Sequence, residues 1–175
     1  NVMDGIICCA DIPSSVSLAE IHRPIVMIDR YVTEGIPCIH SDHKRGGELA
    51  AQALLSAGCK NVLYFASSAT ERGCSMDRYR RFAEVCKQHK CKITAIDAGS
   101  KILNFQSGPT IWKKYISHFD GIDGLFTADV TAAACMKMLQ KKGIKIPKKL
   151  KVVGYDGLDF TRFLTPELTT VCQLR

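Results

Sequence analysis

The sequence predicts an open α/β fold, a parallel sheet covered by helices. Two observations carry that expectation. From residue 61 onward, short β-rich runs alternate with helical periodicity. Several of the predicted strands also finish in a carboxylate, which in a parallel sheet places acids along one edge, where ligands bind.

Each element has its own signal. Gly5 to Ala10 and Pro24 to Asp29 are apolar runs of strand length, and a shorter one spans Cys38 to Ser41. Asp42 is placed to cap a helix that runs to about Ala57 and is ended by Gly58. Asn61 to Ser67 (NVLYFAS) reads as a strand. Tyr79, Phe82, Ala83 and Cys86 recur at helical spacing, which predicts a helix over 76–90 with that face on the sheet. A strand follows at Ile93 to Asp97. Pro109 suits a first helical position, and Ile111, Trp112, Tyr115 and Ile116 form the apolar stripe behind it. Gly124 to Asp129 is the next strand. Ala132, Cys135, Met136 and Leu139 give a helix stopped by Gly143, and Val152 to Asp156 closes the series. No Pro/Gly/Ser-rich linker or short-period repeat interrupts the chain, so any domain boundary is a crossing between layers and not a tether.

Composition narrows the function. With 175 residues, 46% of them hydrophobic, the chain can bury a substantial core. No apolar run reaches membrane-span length, and the start Asn1-Val2-Met3-Asp4-Gly5 has no signal-peptide character, so neither a membrane nor an exported location is expected. Nine cysteines form no C-x-x-C pair and mostly sit in apolar runs, a pattern that suits free thiols in a reducing cytoplasm. Cys86, His89 and Cys91 lie too close together, with no second ligand group elsewhere, to make a zinc site, and no metal or cofactor is expected. The formal net charge of +7 is spread out, apart from Lys141, Lys142, Lys145, Lys148, Lys149 and Lys151. Those lysines read as a solvated helix end, because no aromatics for base stacking are interleaved. G-x-G-x-x-G, the P-loop and G-x-S-x-G are all missing, and the five histidines have no evident nucleophile beside them. The chain is therefore not expected to be an enzyme.

The chemistry-bearing residues lie at strand ends. Asp29, Asp97, Asp129 and Asp156 each end a predicted strand, and Arg72 and Arg78 follow the strand NVLYFAS. Carboxylates and guanidinium forks around one crevice suit a polar, hydroxyl-rich ligand. Asp129 and Asp97 also suit helix capping, and Arg78 also suits an exposed helix face. Asp156, followed by Gly157, has no helix to cap at once.

Three further pieces carry a resemblance. Gly143-Ile144-Lys145-Ile146-Pro147, Val152-Val153-Gly154-Tyr155-Asp156-Gly157 and Pro166-Glu167-Leu168-Thr169-Thr170-Val171-Cys172-Gln173 look like the C-terminal signature of the lactose-repressor family of transcription regulators. Upstream, Asp4-Gly5-Ile6-Ile7, Pro24 to Arg30, and Asp42 with Gly46-Gly47 fit the same family in order. The resemblance implies a type I periplasmic-binding-protein-like fold of two doubly wound lobes with an effector in the cleft between them. It assigns residues 1–40 to part of the N-terminal lobe, 41–172 to the C-terminal lobe and 173–175 to the return crossing. It also implies that the DNA-reading head and the opening units of the N-terminal lobe lie outside this chain.

Carried over position by position, the resemblance places effector contacts at Asp29, Arg30, Arg72, Cys74, Arg78, Asp156 and Gln173, and the strand-end argument adds Asp129 to the candidate effector-binding residues. Asp29-Arg30 resembles the pair of ribose-type binding proteins and points to a small sugar. Ala128 stands where the family's usual Asn precedes Asp129, Leu103 where an aromatic often stacks, Arg81 where a small residue is usual, and Cys59 where histidine is common. These departures leave a purine or another polar metabolite open. The implied function is an effector-sensing domain in a cytoplasmic, homodimeric regulator that binds operator DNA through its head. A periplasmic sugar-binding protein of a transport system is the alternative.

Overall fold

A computed structural model describes residues 3–9, 12, 15–29, 35–66, 74–98 and 115–173. β1 (Ile6–Cys8), β2 (Ile25–Ile28) and β3 (Cys38–Ile39) form a parallel sheet in that order, with Ile6 opposite Ile25 and Met27 opposite Cys38. Side chains alternate across it as strand geometry requires: Met27 is buried, whereas Ile7, Ile28 and Ile39 are exposed. The chain then leaves this sheet through α1 (His43–Ser56). The Asp42 side chain accepts from the Arg45 N–H at 2.8 Å, satisfying one of the unpaired donors of the first turn.

The second sheet contains β4 (Asn61–Ala66), β5 (Lys92–Asp97), β6 (Gly124–Phe126), β7 (Lys151–Asp156) and β8 (Thr169–Cys172). Its order is β5-β4-β6-β7-β8, and every pairing is parallel. Helices cover both faces, so its central strands read as nearly continuous apolar runs. Val62, Tyr64 and Ala66 meet α1 and α2 (Cys74–Gln88) through Ala50, Ala51, Leu54, Phe82, Val85 and Cys86. Leu63 and Phe65 meet α3 (Asp129–Lys141) through Ala132, Cys135, Met136 and Leu139. The period of two in β4 thus feeds two separate apolar clusters.

The parallel α/β architecture agrees with the fold class read from the sequence, with two local differences. The strand expected over 124–129 stops at Phe126, and Asp129 is the first residue of α3, with Ala128 at the N-cap position making no side-chain bond. β8 was not anticipated as a strand: Thr169 and Thr170 carry no apolar alternation, and the segment is ordered by pairing with Val153 to Asp156. The helix expected from Pro109 lies outside the described residues, apart from Tyr115 and the 3-10 turn Ile116–Phe119 that follows it. The lysines at 141, 142, 145, 148 and 149 are exposed, as a solvated helix end should be. The eight cysteines whose side chains are described are free thiols. Among the described residues, no helix is long and apolar enough to cross a membrane.

Candidate functional site

Because all strands of each sheet run parallel, their carboxyl ends share an edge, and loops and helix starts converge there. From the smaller sheet comes Asp29, the residue after β2, whose N–H bonds the Ile39 carbonyl at 2.9 Å. From the larger come Tyr155 and Asp156 at the end of β7 and Gln173 just past β8. Ser41 and His43 stand on the crossing between the sheets, and Arg78 projects from the first half of α2.

These side chains form two linked sets. In the first, Asp29 Oδ1 accepts from the Ser41 N–H at 3.1 Å and lies 3.1 Å from His43 Nε2. His43 Nδ1 lies 3.2 Å from the Tyr155 hydroxyl. The Arg78 guanidinium carbon sits 4.0 Å from the Tyr155 ring centroid, within cation–π range. In the second, Gln173 Nε2 donates to Asp156 Oδ1 at 3.0 Å, and the Ser41 hydroxyl donates to Gln173 Oε1 at 3.0 Å. Asp29 and Asp156 both have left-handed backbone, with φ of 52° and 120°. Neither is glycine, so each pays a conformational cost that the surrounding bonds must hold, a condition that clusters at ligand sites.

His43 is 6% exposed and Arg78 9%, so charge at this edge is felt through a low dielectric. Burial pushes the His43 pKa below its usual value; the Arg78 charge acts the same way, against the hydrogen bond to Asp29. A neutral ring that donates from Nε2 to Asp29 and accepts the Tyr155 O–H at Nδ1 satisfies both contacts. Tyr155 suits the donor role, because burial raises its pKa and keeps the phenol protonated. Among the described residues, no three His, Cys, Asp or Glu side chains converge to hold a metal ion.

Of the residues singled out from the sequence, Asp29, Arg78, Asp156 and Gln173 come together here. Asp129 does not join them. It is fully buried, and its two carboxylate oxygens accept from the Leu158 N–H at 2.8 Å and the Thr170 hydroxyl at 2.6 Å. Its carboxylate occupies the space over Gly154, where any Cβ would strike Oδ1. Burial raises its pKa, against those hydrogen bonds. Asp129 therefore holds β8 and the Leu158 turn to the start of α3. Asp97 ends β5 beside Ala66. Arg30, Arg72 and Leu103 lie outside the described residues, and Cys74 is described only as the backbone start of α2. Sequence reasoning missed Ser41, His43 and Tyr155. Ser41 lies between β3 and α1 and His43 is the first residue of α1; polar residues at such a strand-to-helix crossing are the signal that would have raised them.

Comparison with known proteins agrees with this geometry. Residues 51–173 match the family model of the periplasmic binding protein-like domain, and the chain belongs to that family. Within it, the resemblance to lactose-repressor-type regulators holds. The chain is 32% identical over 172 residues to the ribose operon repressor of Halalkalibacterium halodurans, covering 98% of this chain and 51% of that protein. It is 30% identical over 174 residues to the sucrose operon repressor of Streptococcus mutans, covering 99% of this chain and 52% of that one. A solved structure of a LacI-family transcriptional regulator from Enterococcus faecalis with bound ribose superposes with a TM-score of 0.75 at 26% identity, covering 99% of this chain and 64% of that one. The chain spans about half the length of the curated relatives it matches.

Proposed function

We propose that this chain is the effector-sensing part of a DNA-binding transcription regulator and that it binds a small sugar at the edge where the two sheets meet. The observation that carries this reading is the pair of polar sets: acceptors and donors from both sheets, Asp29 on one side and Arg78, Asp156 and Gln173 on the other, face one edge. Carboxylates, an amide and a guanidinium match the alternating donors and acceptors of adjacent sugar hydroxyls. The names of the relatives, operon repressors for ribose and sucrose, support a sugar of that kind. On this reading residues 1–40 belong to one lobe and 41–172 to the other, and Arg30, Arg72 and Cys74 complete the sugar's surroundings.

The site binds and does not turn over its ligand; a sugar held by both lobes shifts the protein between two arrangements of different operator affinity. Operator DNA is gripped by a head outside these residues, and two copies pair so that a two-fold protein meets a two-fold operator. The coupling expected of such a switch is about 1–3 kcal/mol. Calorimetric titration of the full-length polypeptide with D-ribose and with sucrose, beside an operator gel shift with and without the sugar that binds, tests this. A saturable heat with one sugar and a shifted operator affinity are expected. If no sugar binds, or if one binds without moving operator affinity, the reading fails.

A further inference from the structure

We propose that His43 is a positioning residue of this site, tying the Asp29 carboxylate of one sheet to the Tyr155–Arg78 pair of the other, and that its protonation weakens sugar binding. The proposal rests on the sugar reading above and adds a control on it.

The geometry is a bridge between sheets. Asp29 follows β2, Tyr155 lies in β7, and the His43 ring stands between them with one nitrogen toward each, at 3.1 and 3.2 Å. Its ring is roughly parallel to that of Tyr155, with centroids 6.0 Å apart, so the contact fixes orientation as well as distance. The far face of the arrangement is closed by Gly46, where an added Cβ would lie 2.6 Å from the Tyr155 ring. Tyr155 is 1% exposed and cannot swing aside without emptying core volume. Asp29 Oδ1 takes a second donor, the Ser41 N–H, so the carboxylate is held from two sides in a backbone conformation that carries strain. Releasing the His43 bond removes one of the carboxylate's restraints.

Protonation acts on this bridge with a definite sign. Among the described residues, the charged or titratable groups facing the ring are Asp29 from the end of β2, His40 from the crossing with centroids 6.3 Å apart, Arg78 from α2 and Tyr155 from β7. Asp29 favours the imidazolium; Arg78 and His40 oppose it, and so does burial, the largest influence. A proton added at Nδ1 turns that nitrogen from acceptor to donor, so the Tyr155 O–H must turn away and present a lone pair. The added charge also faces the guanidinium stacked on the same phenol ring. Arg78 is one of the residues proposed to grip the sugar, so its displacement carries the effect to the ligand.

The test uses the full-length polypeptide and D-ribose, titrated by calorimetry from about pH 5 to about pH 8, the window in which an imidazole changes charge. Wild-type affinity should fall about fivefold between the top and bottom of that range, following the protonated fraction of one group. His43→Gln, which keeps an N–H for Asp29 and cannot titrate, should bind within about threefold of wild type at neutral pH and show a flat profile. His43→Ala should lose about tenfold at neutral pH, the cost of one unmade bond to a charged group. A flat wild-type profile, an unchanged slope in His43→Gln, or a His43→Ala variant that binds like wild type would each overturn the proposal while leaving the sugar reading intact. A proton–carbon NMR titration of the histidines in ligand-free protein decides the bridge itself. The resonance lost in His43→Gln should titrate lower than an unperturbed imidazole and move upward in Tyr155→Phe, which removes the O–H that the neutral ring accepts. A resonance with an ordinary midpoint, unmoved in Tyr155→Phe, overturns it even if ribose does not bind.

Discussion

Replacing Gly47 with alanine should destabilise the protein even though the substitution favours helix. Gly47 lies in the first half of α1, where that helix crosses α2. A Cβ at this position would fall inside the contact radius of the Arg78 carbonyl oxygen and lie 3.0 Å from the carbonyl carbon and 3.1 Å from the Phe82 nitrogen. All three are backbone atoms, so no rotamer change relieves the clash, and the helices must separate by on the order of 1 Å. That gap also loosens Ala50, Ala51 and Leu54 against Phe82, and a 0.5–1 Å gap forfeits roughly a quarter to a half of each dispersion contact. Overpacking costs about 1–3 kcal/mol, here toward the upper end or beyond, while Gly→Ala in a helix interior returns about 1 kcal/mol. The net loss should be about 2 kcal/mol, and Tm should fall by roughly 4–8 °C. Gln52→Ala, on the exposed face of the same helix, is the control. Thermal unfolding followed by circular dichroism reads both variants. A Gly47→Ala protein that melts at or above the Gln52→Ala control would refute the close-approach argument.

Three other outcomes are expected. Arg78→Ala and Asp156→Ala should each weaken sugar binding by about 1.5–3 kcal/mol, the range for a hydrogen bond to a charged group, and calorimetric affinities within about twofold of wild type would remove that residue from the site. Asp129→Ala leaves the Leu158 N–H and the Thr170 hydroxyl without their acceptor, so it should cost about 2 kcal/mol or more and lower Tm by at least roughly 4 °C; a melting curve that coincides with wild type would show that the bonds contribute nothing net. His43 titrates below 6.5 in the folded protein, so the unfolded chain takes up its proton first on acidification. Its stabilisation is complete above that value and is lost as pH falls through the lower folded value. Melting temperatures from about pH 8 down to about pH 5 should therefore drop less steeply in His43→Gln than in wild type, and parallel curves would contradict this sign.

The fold was legible where local signals agree. Asp42 caps α1, Gly58 and Gly143 follow their helices with φ near +80°, and β4 alternates toward two apolar clusters. Asp29 and Asp156 were found because a parallel sheet sends every strand end to one edge, and Gln173 only because the family resemblance pointed to it. Asp129 shows where that argument stops. It follows β6 as Asp156 ends β7, yet its side chain turns inward because Gly154, 25 residues on, leaves room for it. His43 was set aside with the other histidines for a related reason. Its partners are Asp29, 14 residues before it, and Tyr155, 112 residues after it, and no periodicity reports a contact of that kind. Bonds between residues so far apart in the chain exist only once both sheets are in place.

Ser41 and His43, two residues apart on the crossing, reach different anchors on the larger sheet: Gln173 beyond β8 and Tyr155 in β7. In mechanical terms, one attachment point would act as a ball joint, free to swing, roll and twist. Two attachment points define a line, and the rotation they leave easy is the one about that line. A ligand drawing Asp29 toward Asp156 would then turn one sheet against the other along a single path, and breaking either attachment would add directions of motion without adding reach.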